Sequence, residues 1–195
     1  MERVLVVPTK VIENLVDNES GIFPIDLELL RDSIERFGFF IDRNVAEFDE
    51  ANRQVIPYVL MNQEGRFLLL RRTNKQQEKR LHGRLSIGVG GHITLQDGDT
   101  PWKAFLNGME REIHEEVDAK IRKMVYLGLL NDLSSPVSRV HVGIVYLAEV
   151  EFRSLNEPDM FEWWFKSLEE ITQWEEELEG WSKLTLDFLR GLTRN

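Results

Sequence analysis

The side chains best able to do chemistry stand in one short run, Arg111-Glu112-Ile113-His114-Glu115-Glu116. If the run is helical, at about 100° per residue, Glu112, Glu115 and Glu116 share one sector roughly 100° wide. Carboxylates one turn apart repel one another weakly when exposed and more strongly where water is excluded. A hard divalent cation, Mg²⁺ or Mn²⁺, relieves that repulsion by taking oxygen ligands. Arg111 can pair with Glu115 one turn later and hold it in place. A solvated acidic patch is the plainer reading of the same residues.

A helix is needed to position them, and the preceding residues supply its pattern. Trp102, Phe105, Leu106, Met109, Ile113 and Val117 recur at steps of three and four and form an apolar stripe that must be buried. Asp99-Thr100-Pro101 carries the signals of a helix start, and Gly90-Gly91 opens a turn upstream. Gly108 lies within the helical stretch, on the glutamate side. It marks either a break or the close approach of a loop or ligand.

The stretch Gly90–Ala119 resembles the Nudix box, the signature G-x5-E-x7-R-E-U-x-E-E-x-G-U of the Nudix hydrolases, where U is a bulky aliphatic residue. The R-E-U-x-E-E half matches at every specified position. The first half is stretched. Counted back from Arg111, Lys103 takes the place of the first glutamate, and Asp99 is the expected stand-in. Asp118 and Ala119 replace the last glycine and aliphatic residue.

The resemblance covers roughly residues 52–195. It implies an α+β fold with a mixed sheet sandwiched between helices, and Mg²⁺ or Mn²⁺ held by Glu112, Glu115 and Glu116. It also implies a metal-ligating backbone carbonyl at the start of the box, Gly90 or Gly91, with Gly91 preferred. Arg111 would orient the glutamates. A catalytic base is expected on Glu162 or Glu157, with Glu162 preferred. The implied reaction is hydrolysis of a phosphoanhydride in a nucleoside diphosphate-linked or related small substrate. A ligand-sensing module that keeps the fold without chemistry is the alternative. The isopentenyl diphosphate isomerases of the same fold rely on a cysteine, and this chain has none.

Composition narrows the partners. With 34 acidic and 24 basic residues, a net charge of −10 disfavours sequence-independent binding of a nucleic acid polymer. A small phosphorylated substrate remains compatible if cations accompany it. The absence of cysteine removes disulfides, thiolate metal sites and cysteine nucleophiles. The opening apolar run Val4–Val7 is too short for a signal peptide, and no stretch reaches membrane-spanning length. A soluble cytoplasmic protein without membrane contact is expected.

Residues 1–51 read as an extension, a short strand at Val4–Val7 and a helix from the N-cap Asp26 to Gly38, for packing or for forming a homodimer. Residues 52–195 read as the hydrolase domain. Val55–Met61, the turn Asn62–Gly65 and Arg66–Arg72 spell a hairpin. Its strand-end pair Arg71-Arg72 could grip phosphate, or be solvated surface. A strand is expected in Leu81–Ile93. His82 and His92 could touch phosphate or metal, although loop histidines more often do neither. His114 reads as surface or packing. Strands are expected at Met124–Leu130 and Val140–Val150, where His141 reads as a satisfied strand residue. An aromatic strand near Trp163-Trp164 leads to a helix capped by Ser167, and a closing helix follows Gly180 with Ser182 as a fresh N-cap.

Overall fold

Continuous apolar runs become strands buried on both faces, as runs of this kind must. A computed structural model describes residues 2–73 and 83–193. In it Val4, Leu5, Val6 and Val7 are all buried within β1 (Arg3–Pro8). Likewise Leu68, Leu69 and Leu70 are buried within β5 (Arg66–Arg72). Each such side chain contributes about 1.5–3 kcal/mol by leaving water.

The chain divides into two compact units. The first comprises Met1–Tyr58, Gly90–Glu112 and Tyr126–Val145. The second comprises Val59–Val89, Ile113–Val125 and Tyr146–Asn195.

In the first unit β1 is followed by α1 (Thr9–Leu15), β2 (Gly21–Phe23), α2 (Leu27–Phe37), β3 (Phe39–Asp42) and α3 (Arg43–Ala46). Helix α2 starts where expected, because the Asp26 carboxylate accepts from the Leu29 N–H at 3.0 Å, and it stops at Gly38. Three further strands, β4 (Asn52–Gln63), β7 (Val117–Asn131) and β8 (His141–Leu155), are divided between the two units, and the strand order is β2-β7-β8-β4-β1-β3. β1 runs antiparallel to both neighbours, with Val6 opposite Phe39 on one side and Gln54 on the other. A short helix α5 (Pro136–Arg139), capped by Ser135, leads into β8.

The second unit is organised by β5, which pairs with β4, with β6 (Leu85–Ser86) and with β9 (Phe161–Lys166). These ladders are antiparallel, and a parallel bridge joins Leu85 to Leu178. The hairpin turn has Glu64 and Gly65 at positive φ, 54° and 80°. Ser167 caps α6 (Leu168–Thr172) in a capping box with Glu170. The last helix is α7 (Gly180–Thr193). Ser182 does not cap it: the residue is inside the helix, and its Oγ accepts from the Ile87 N–H at 3.1 Å. Helices beside a mixed sheet make this an α+β fold. Among the described residues no helix is long and apolar enough to cross a membrane.

Two expectations about the central helix α4 (Pro101–Glu116) change. Leu106 is 42% exposed, so the buried stripe is Ala104, Phe105, Met109 and Ile113. Val117 is buried but belongs to β7, which follows the helix without a loop. In the Leu81–Ile93 stretch the described strand is only Leu85–Ser86, with a bridge at Val89.

Candidate active site

The loop before α4 decides how the acidic end of that helix is held. Thr94 opens a 3-10 turn, Leu95–Asp97, closed by a capping box. Asp97 Oδ2 accepts from the Thr94 N–H at 2.7 Å and from its hydroxyl at 3.0 Å. The same carboxylate meets Arg111 as a fork: Nε donates to Oδ1 at 2.8 Å and Nη2 to Oδ2 at 2.9 Å. Nη2 also donates to the His92 carbonyl at 2.9 Å, and Nη1 to Glu112 Oε1 at 2.7 Å. Arg111 therefore fastens helix to loop and holds the first glutamate of the run.

Burial alone would raise the pKa of Asp97, whose side chain is only 6% exposed. The hydrogen bonds from Arg111 and Thr94 outweigh burial and keep the carboxyl below its ordinary range. Asp99, the expected stand-in, is exposed and pairs with Lys103 at 2.9 Å. Asp97 is the residue that meets Arg111, and it stands six positions after Gly91, as G-x5-E requires. Counting forward from Gly91, and not back from Arg111, finds it. The inserted residues then fall wholly between Asp97 and Arg111, where they add to the turn and the start of the helix.

Gly108 is a case of close approach, not a break. A Cβ there would lie 2.6 Å from Ile93 Cδ1 and 2.8 Å from Asp97 Oδ2. The two box glycines face different neighbours. At Gly90 a Cβ would sit 1.8 Å from the Pro57 carbonyl oxygen, whereas at Gly91 it would sit 2.0 Å from Glu112 Oε2. Gly91 thus leaves the room that the Glu112 carboxylate occupies.

Glu112, Glu115 and Glu116 all lie on α4, with Glu112 15% exposed at its side chain, Glu115 exposed and Glu116 half-buried. Past them the helix end is satisfied by Asn156. Its backbone N–H donates to the Glu116 carbonyl at 2.9 Å and its amide to the His114 carbonyl at 2.6 Å. The His114 side chain is exposed.

In the second unit the strand-end arginines lie along aromatic rings. Arg71 donates to Glu177 at 2.6 Å and stands over Trp164 and Trp174, 5.6 and 5.8 Å from the ring centres. Arg72 lies 5.7 Å from the centre of the Phe161 ring. Glu162 is exposed on β9, directly across from Arg71 in the register, and Glu157 is exposed before that strand. His82 and most of the loop around it lie outside the described residues.

A different trio comes together in the first unit. Among the described residues, the group of three ligand-type side chains whose donor atoms lie within 4.8 Å of one another is Glu47, His92 and His141, not the helix glutamates. Burial drives the pKa of His92 down to about 3, and the nearby charges of Arg43 and His141 add to the effect. Sequence reading weighed His92 and His141 separately and passed over Glu47. The three come from distant points in the chain, and no local spacing links them.

No protein-family model matches this chain. Protein YmaB of Bacillus subtilis (strain 168) is 32% identical over 159 residues, which span 75% of this chain and 76% of that protein. Among solved structures, Tm1382, assigned as a Nudix hydrolase, is 39% identical, with 98% of this chain and 99% of that one covered at a TM-score of 0.87. The MutT NUDIX hydrolase from Burkholderia pseudomallei shares the fold at 20% identity and a TM-score of 0.52, covering 68% of this chain and 95% of its own.

Proposed function

The chain belongs to the Nudix hydrolases, a family of pyrophosphohydrolases, and on that premise we propose that it is metal-dependent and cleaves a phosphoanhydride bond in a nucleoside diphosphate-linked or related small substrate. The observation that carries this reading is the fork between Arg111 and Asp97, with Glu112 held on the same guanidinium against Gly91. A box that had lost its chemistry would have no need to keep that carboxylate aimed at a glycine backbone.

The residues suit a hard cation. Glu112, Glu115, Glu116 and the Gly91 carbonyl offer oxygen donors only, the set that Mg²⁺ and Mn²⁺ take. When bound, such an ion lowers the pKa of its water and offsets charge on a phosphate leaving group. Arg111 keeps Glu112 in place through the hydrogen bond from its Nη1. Glu162 is the assigned base that takes the proton of the attacking water. Arg71 and Arg72 are assigned to substrate phosphate, which for Arg71 competes with Glu177 for the guanidinium. Residues 1–51 serve as a packing or dimer-forming extension to a hydrolase domain of residues 52–195, and pairing of β1 with β4 supports the packing role. A cytoplasmic location without nucleic acid polymer or membrane partners completes the reading, with a homodimer as the alternative to a packing role for residues 1–51.

The test is a screen of nucleoside diphosphate-linked compounds with Mg²⁺ or Mn²⁺, reading phosphate released after coupled phosphatase treatment. Turnover abolished by a chelator and restored by the ion supports the proposal. Saturable ligand binding with no turnover on any compound would replace it with the ligand-sensing module.

A further inference from the structure

We propose that Glu47, His92 and His141 form a second metal site, separate in chemistry from the helix glutamates, that takes a divalent transition ion of the zinc class. Two imidazoles and one carboxylate are the donor set of borderline ions such as Zn²⁺, Co²⁺ and Fe²⁺, whereas Mg²⁺ prefers oxygen alone. The donor atoms are already gathered within 4.8 Å of one another. His92 Nε2 stands 3.7 Å from Glu47 Oε1, too far for a hydrogen bond. It is close to the ~3.3 Å edge of a tetrahedron drawn with bonds of about 2.0–2.1 Å.

Each ligand is prepared by its surroundings. His141 Nδ1 lies 2.7 Å from the Val137 carbonyl oxygen, which can only accept, so Nδ1 carries the proton and Nε2 carries the lone pair. A backbone carbonyl fixing one nitrogen is the usual way a metal-ligating histidine is oriented. His92 Nε2 is buried and makes no hydrogen bond. Glu47 follows α3 directly, and its neighbour Arg43 makes its shorter contact with Glu2, at 3.0 Å, against 3.5 Å to Glu47.

A second buried orphan lies in the same unit. Gln54 is fully buried, and neither its Oε1 nor its Nε2 has a hydrogen-bond partner. It is the cross-strand partner of Val6, so the two side chains share a face, and Val6 packs on Ala46, the residue before Glu47. Buried polar groups without partners are rare, and an ion with its water is a standard reason for them. The ion would tie α3, β8 and the loop residue next to Gly91 into one unit, so that its occupancy bears on the loop that lines Glu112.

The test is a Co²⁺ titration of the full chain in saturating Mg²⁺, reading visible absorption bands and their loss on adding Zn²⁺. One Co²⁺ per chain is expected. Because loss of even an outer partner weakens metal sites about 10–100-fold, His141→Gln and Glu47→Gln should each weaken Co²⁺ binding by about 100-fold. Thermal melts without metal establish that both variants fold. Glu116→Gln should leave the bands unchanged. Bands that survive both His141→Gln and Glu47→Gln, or the absence of micromolar Co²⁺ binding in the natural chain, would overturn the site. Bands lost only in Glu116→Gln would overturn it too, while leaving the hydrolase reading intact.

Discussion

Adjacent residues of one loop, Gly91 and His92, touch members of two sets of ligand-type side chains, and the sets are built in opposite ways. Gly91 lies against Glu112, one of three glutamates on a single helix, whereas His92 reaches Glu47 and His141 from two other elements. The first set is all oxygen, negatively charged and partly open to water, and a guanidinium holds one member. The second mixes nitrogen and oxygen, is half-buried at all three members and has its donor atoms already within 4.8 Å of one another. A catalytic ion that must meet phosphate needs the open set. A mixed set of imidazole and carboxylate suits an ion that stays.

The contrast can be broken at chosen positions, and among the residues that frame the glutamates the largest effect is expected at Gly91. Gly91→Ala places a methyl where the Glu112 carboxylate now sits. We expect kcat to fall about 100-fold, on the scale of a misplaced reacting group. The melting temperature should change little, because a flexible side-chain end moves aside. Equal loss of stability and activity would show that the glycine serves the fold and not the carboxylate.

Asp97→Asn comes next. It removes the charged half of the fork and should cost about 1–3 kcal/mol in chemical denaturation, with a smaller loss of rate as Arg111 loosens. The pH dependence has a defined sign. Because the folded carboxyl titrates below its ordinary value, its contribution is fully present above the unfolded pKa, near 4, and is lost as pH falls through the lower folded value. The variant should therefore lose less stability than the natural chain as pH falls below about 4. Identical acid limbs would contradict the role given to Asp97.

The smallest effect is also the most discriminating. Glycine to alanine inside an exposed helix normally stabilises by about 1 kcal/mol. Gly108→Ala should instead destabilise by about 1–3 kcal/mol, since its methyl would press on buried Ile93 and on the pinned Asp97 carboxylate. A stabilised variant would mean that the loop does not pack there.

What could be read in advance follows the same division between local and distant. Asp26 and Gly38 around α2, the Asn62–Gly65 turn, and Ser167 before α6 were legible because cap and turn chemistry acts over three or four residues. The R-E-U-x-E-E run stood out by its resemblance to the Nudix box, where its helical spacing alone left a solvated acidic patch as the plainer reading. Asp97 was passed over in favour of Asp99 because the insertion shifted the count from Arg111, although the count from Gly91 is undisturbed. Ser182 resembles an N-cap in sequence, but its hydroxyl is used by Ile87, a partner 95 residues away. Glu47, His92 and His141 stayed hidden because tertiary packing alone brings them together.

The central claim is that the helix glutamates are a cation cradle for hydrolysis and not a wetted acidic face. Glu116→Gln tests it most directly, with initial rates of phosphate release measured against Mg²⁺ concentration on the best substrate of the screen. Loss of a charged metal ligand should cut the rate at least about 1,000-fold, near 4 kcal/mol of transition-state stabilisation, in a chain whose melting temperature is unchanged. A variant that folds and turns over at close to the natural rate would contradict the account.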